Sequence, residues 1–226
     1  MTHISTSRYA FPAQHVAKKP AWPLLMFLVC LFGYPFGVAQ AENKTTIVWY
    51  FGDHAGIDFN SGSPVALTDS AMFTKEGVAT ISDDNGNLLF YTDGVTVWNK
   101  NHEPMPNGTG LKGDPSSTQS AVIVPKPGSS DTYYIFTVDA FARPNGLQYS
   151  TVDMTLAAGL GDVTTKNTLL LTPTVEKIAA VRHHNEVDIW VIAHGWNNNT
   201  FSAYKVTNTG VSTTPVVSNT GTVHEG

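Results

Sequence analysis

Three pairs of polar residues recur along the chain at similar spacing: Glu76 with Asp93, Gln119 with Asp139, and Glu176 with His194, 17, 20 and 18 residues apart. Carboxylates, an amide and an imidazole gathered at one place could bind a polar ligand or a cation. Paired carboxylates could also serve a carbohydrate-active hydrolase or lyase, for which the distance between them is decisive. Trp196 follows His194-Gly195 into the run Asn197-Asn198-Asn199. Its indole suits stacking on a sugar ring or a partner side chain, or packing at a rim. The competing reading is structural, because Asp and Glu at strand ends commonly accept from loop N–H groups.

Other chemistries lack their residues. No G-x-S-x-G is present, and the serines gather in turn-like pairs such as Ser116-Ser117 and Ser129-Ser130. His183-His184 and His194 come without H-E-x-x-H or a cysteine set; on a strand the adjacent pair would point to opposite faces, and in the turn at 182–186 it reads as a solvated loop pair. Asp53-His54 sits alone in a Gly-rich loop. Neither a metal nor another cofactor is expected, and no catalytic residue is assigned. Ser82-Asp83-Asp84-Asn85-Gly86 partly matches the S-x-D-x-G core of an Asp-box, a hairpin device of sialidase-type propellers. It lacks the bidentate Glu of an EF-hand and reads as a turn.

The elements that must position these residues are strands. The stretch 77–99 (GVATISDDNGNLLFYTDGVTVWN) holds three β-prone runs, 78–82, 88–92 and 95–98. Asp-Asp-Asn-Gly-Asn and Asp-Gly connect them, residue types that tolerate hairpin backbone angles. A second copy runs through 121–124, 133–138, 146–152 and 167–172, and a third through 178–181, 187–193, 200–206 and 215–218. An apolar run at 47–51 precedes them, and 52–70 and 99–117 read mainly as loop. Overlaying LFYTDG on IFTVDA and WVIAHG aligns Asp93, Asp139 and His194, with Glu76, Gln119 and Glu176 before each first strand. Copies of this length suit propeller blades. The expected fold is all-β and β-propeller-like, about three four-stranded antiparallel blades in a partial ring, with a sandwich as the alternative. Three blades do not close a ring, and Val223-His224-Glu225-Gly226 sits where another should begin, so a fragment or a prematurely ended frame is expected.

Two segments divide the chain. In residues 1–41, Lys18-Lys19 precede an apolar stretch at 24–32, then Gly33, Pro35 and Gly37, then Ala39-Gln40-Ala41. This is the pattern of a secretory signal peptide cut after Ala41. The apolar stretch is too short for a bilayer span of roughly 20 residues, which disfavours a membrane anchor. Cys30, the only cysteine, falls within it, so the mature chain 42–226 has no thiol, no disulfide and no membrane span. With 13 Lys and Arg against 18 Asp and Glu and no basic run, nucleic acid is not an expected partner.

The phrases IVWYFG, EGVATISDDNGNLLFYTDGVTVWN, MPNGTG, SSTQSAVIVPKPGSSDTYYIFTVD and WVIAHGWNNNTFSAYKV resemble the propeller-like N-terminal region of large Bacteroidetes surface proteins. That family carries a C-terminal type IX secretion sorting domain of the gliding-motility-associated kind. The resemblance implies an exported protein, secreted or at the cell surface, whose further blades and sorting domain would lie beyond residue 226; without a sorting domain it would be periplasmic. The resulting expectation is a non-catalytic binding or structural module that meets protein or glycan through loops. The candidate ligand-binding residues are Glu76, Asp93, Gln119, Asp139, Glu176, His194 and Trp196. The rivals are the hydrolase or lyase and a truncated product without function.

Overall fold

The computed structural model describes residues 43–223. The chain divides into Met1–Ala41 and Glu42–Gly226; the expected signal peptide, with Cys30 and the Ala41 cleavage site, and residues 224–226 lie outside the described residues. The described part is all-β and antiparallel, with no α-helix among the described residues.

Four meandering sheets follow one another in chain order. β1 (Val48–Phe51), β2 (Ala55–Asp58) and β3 (Val65–Leu67) form the first. β4 (Ala79–Ser82), β5 (Leu88–Thr92), β6 (Thr96–Asn99) and β7 (Pro104–Thr109) form the second. β8 (Ala121–Pro125), β9 (Thr132–Val138), β10 (Leu147–Asp153) and β11 (Asp162–Leu171) form the third. The fourth holds β12 (Thr174–Arg182), β13 (Ile189–Gly195) and β14 (Thr200–Thr207). β15 (Gly210–Val211) and β16 (Val216–Asn219) then share the far edge of β14, at its end and its start respectively.

The continuous apolar runs arise because the middle sheets are covered on both faces. Tyr133 and Ile135 of β9 join a cluster with Ile81, Phe90 and Val97 of the second sheet. Their neighbours Tyr134, Phe136 and Val138 turn the other way, onto Ile178, Val191, Tyr204 and Val206 of the fourth. Phe90 and Tyr91 divide β5 likewise, since Tyr91 faces Val48, Tyr50 and Met72. There the rings of Tyr50, Tyr91 and Trp98 pack in series at 4.8 and 5.5 Å. Each fully buried side chain of the Phe136 kind contributes about 1.5–3 kcal/mol. First strands touch first strands, β1 with β4, β4 with β8 and β8 with β12, while β7 meets β11 at the outer side. Among the described residues no hydrophobic cluster joins the first sheet to the fourth.

Two stretches that read as loop contain strands. β2 and β3 (AGID and VAL) are short and sit among Gly, Asp and Ser, so no run stands out. β7 (PMPNGT) holds two prolines, tolerated because an edge strand does not need every N–H for pairing. The expected three copies are thus three sheets of four or more strands, preceded by a fourth, shorter sheet in 48–67.

Candidate functional site

The loops that enter β4 and β8 and leave β5 and β9 meet, together with the start of β12, at one end of the sheets around residues 114–120. The Pro115 carbonyl accepts from the Glu76 N–H (3.3 Å) and the Thr74 hydroxyl, and the Ser117 carbonyl accepts from the Gly77 N–H. The Ser120 hydroxyl donates to the Asp93 carbonyl (2.6 Å), and the Ser120 carbonyl accepts from the Val138 N–H. The Gln119 N–H donates to the Glu176 carbonyl (3.1 Å). One segment therefore ties together the second, third and fourth sheets. Packing is close enough that a Cβ on Gly94, whose φ is +88°, would run into the Ser120 hydroxyl. Glu76, Asp93, Gln119, Asp139 and Glu176 all lie at this hub.

Their polar groups are mostly engaged in building it. Asp93, 7% exposed, accepts from the N–H groups of Val95 (2.8 Å) and Thr96 (2.7 Å), which fixes the turn after β5. Burial pushes its carboxyl up, and the turn hydrogen bonds only partly offset this. Asp139, 3% exposed, accepts from the N–H groups of Ala140 and Asn145 across the loop after β9. Glu176 bridges three points: Oε2 accepts from the Thr118 N–H (2.9 Å) and hydroxyl, and Oε1 from the Phe141 N–H (2.8 Å). Partial burial would raise its carboxyl, but the Phe141 and Thr118 donors outweigh it and hold the group below its usual range. The Glu76 side chain is exposed.

The fourth sheet departs from the expected alignment. Phe90 and Phe136 face the following sheet, whereas Val191, aligned with them by sequence, faces the preceding one. His194 consequently stands within β13 on the outer face, directly across from Phe201, with ring centroids 4.5 Å apart. It does not replace Asp93 or Asp139. The first residue after β13 is Trp196, and the turn there is fixed by Asn198, whose Oδ1 accepts from the Thr200 N–H (2.8 Å). Glu176 likewise lies inside β12, at the irregularity between Thr174 and Ile178, rather than before the strand. Thr118, Val175, Glu176, Lys177, His194, Trp196 and Phe201 line an open cleft of about 460 Å³ on this side.

The acidic turn at Asp83 is structural, as its sequence suggests. Its carboxylate accepts from the N–H groups of Asn85 and Asn87 and from the Asn87 amide. Burial acts upward on the carboxyl, but these bonds win and lower it. His183 and His184 lie in the turn after β12, as expected of a loop pair, and their rings pack 4.2 Å apart. Among the described residues no three His, Cys, Asp or Glu side chains are placed to hold a metal ion. Nor, among them, is any helix long and apolar enough to cross a membrane.

Sequence reasoning missed the loop 139–146. Phe141 is 68% exposed and adopts φ +55°, and Ala142 follows at φ +52°. Left-handed backbone costs a residue with a Cβ about 1–2 kcal/mol. Arg143 donates to Asp114 at 2.7 Å and lies over the Phe141 ring at 5.1 Å. Phe73, 62% exposed, is the other projecting aromatic at the hub. An Ala-Phe-Ala run carries no turn signal, because left-handed angles are ordinarily announced by Gly, Asn or Asp.

No family model, curated protein or solved structure matches the chain.

Proposed function

We propose that residues 42–226 form an exported, propeller-like, non-catalytic binding module that meets a protein or glycan through the loops at the hub end of its sheets. The observation that carries this reading is how the hub uses its acids. Asp93, Asp139 and Glu176 spend their carboxylates on loop N–H groups, which leaves rigid loops presenting aromatic side chains. A hydrolase or lyase would need carboxylates able to reach a substrate and move a proton, and Asp93 and Asp139 are buried in their own turns. Sheets packed face to face in chain order, first strand against first strand, support the blade arrangement. The Ala39-Gln40-Ala41 pattern and the family resemblance support export to the surface or medium, with further blades and a sorting domain in a longer protein.

The test is binding of purified residues 42–226 to a glycan array and to surface proteins of the native host. Alanine at Phe73 or Phe141 should lower binding, whereas alanine at Asp84, in the turn between β4 and β5, should not. Turnover of a bound glycan that disappears in Asp93→Asn would overturn the reading in favour of the enzyme.

A further inference from the structure

The loop after β9 is held more firmly than its exposure requires. The Asp139 N–H donates to the Gly146 carbonyl, and the Asp139 carboxylate accepts from Ala140 and Asn145. Within the loop, the Arg143 N–H donates to the Ala140 carbonyl and the Gly146 N–H to the Arg143 carbonyl. From outside, Glu176 takes the Phe141 N–H, Asp114 takes the Arg143 guanidinium at 2.7 Å, and the Thr172 hydroxyl donates to the Pro144 carbonyl. Two distant parts of the chain, Asp114 and the stretch from Thr172 to Glu176, thus help fix eight residues. The ring at their centre is 68% exposed and supports no core. A bulky side chain at φ +55° is a steric exception that persists only where the surroundings over-determine it, and such exceptions gather at ligand clamps.

We infer that Phe141 is a pre-organised anchor that inserts into an apolar pocket of a protein partner. This rests on the reading of the hub loops as the binding surface, and it names the residue and the class of partner. A protein fits better than a glycan for two reasons. One face of the ring is already taken by the Arg143 guanidinium, itself half exposed and paired with Asp114, so the ring offers its other face and its edge beside an arginine. An aromatic beside an arginine, both held rigid, is also the composition that dominates binding energy at protein interfaces. The clasp from Glu176 lowers the entropy lost on docking, because a loop already tied at several points has less freedom to surrender.

The experiment places p-benzoylphenylalanine at position 141 of the full chain in its native host and, separately, at Phe73, at Lys112 (exposed, just before the hub segment 114–120) and at Asp84, followed by irradiation. The expected result is a protease-sensitive adduct of one size at position 141, at least about tenfold above position 84. Adding Glu176→Ala to the position-141 protein should cut the yield by about three- to tenfold while a cooperative melt is retained, because the ring remains but its orientation is released. An adduct that resists protease and is removed by glycosidases would overturn the inference, as would a yield unaffected by Glu176→Ala in folded protein. Adducts at 73 or 112 without one at 141 would sink the Phe141 anchor alone. Silence at all three positions would sink the binding surface itself.

Discussion

Replacing Asp93 separates its two possible roles. The carboxylate is 7% exposed and accepts from the N–H groups of Val95 and Thr96, while its charge is disfavoured by burial. Asp93→Ala strands two part-buried donors at the hub, at a cost of about 2–4 kcal/mol. For a domain of this size that lowers Tm by roughly 5–15 °C. Asp93→Asn keeps an oxygen for both N–H groups and removes the buried charge, so it should lie within about 1 kcal/mol of the parent at pH 7, on the stabilising side. The pH dependence follows from the direction of the shift. A carboxyl whose folded pKa is raised takes up its proton in the folded state first as pH falls. The penalty of its charge is therefore present at neutral pH, begins to fall as pH drops through the folded pKa and is gone below the unfolded one. The advantage of Asp93→Asn should accordingly shrink to nothing on acidification. Calorimetric melts of residues 42–226 and both variants between pH 7 and 4 give all three quantities. If Asn were as damaging as Ala at pH 7, the charge itself would matter, and the assignment of Asp93 to turn-building would fail.

Other substitutions probe the remaining links. Gly94→Ala should cost about 2 kcal/mol or more in a chemical melt, since it combines a left-handed φ with a clash against Ser120. Tyr204→Phe should cost about 1 kcal/mol by removing the hydrogen bond (2.9 Å) to the Leu170 carbonyl, measured as a shift in urea midpoint without a change in slope. Phe136→Ala, between the third and fourth sheets, should cost about 3–5 kcal/mol and broaden or split the melt if those sheets uncouple. Glu176→Gln should destabilise at pH 7, because Glu176 is held below its usual range. That stabilisation is present above the unfolded pKa and lost as pH falls through the folded one, so parent and variant should converge in acid.

The local pattern was largely legible. Hairpin turns such as Asp83–Asn87 are written in residue types that favour them, and runs such as TYYIFTV carry β-propensity and apolarity on both faces. The all-β class, the strands of the three copies and the structural role of the Asp83 turn follow from those features. Strand content in 52–70 and 99–117 was not legible, because β2, β3 and β7 take their pairing from neighbours rather than from their own composition. An edge strand such as PMPNGT forms because β6 offers it a register.

The site divides along the same line. Sequence alone aligns Glu76, Asp93, Gln119, Asp139, Glu176 and His194 at equivalent strand ends, and the fold ties the first five together at one hub. Whether a carboxylate there is free or spent depends on backbone N–H groups that folding brings to it, as Thr118 and Phe141 come to Glu176 from 58 and 35 residues away. Tertiary structure also decides facing. Phe90 and Phe136 face the following sheet while Val191 faces the preceding one, so His194 stands inside β13 across from Phe201 and reaches the cleft it shares with Thr118 and Glu176 from within a strand. The left-handed Phe141 is the extreme case, for nothing in Ala-Phe-Ala specifies that conformation. It exists because Asp139, Glu176 and Asp114, drawn from three parts of the chain, hold the loop around it.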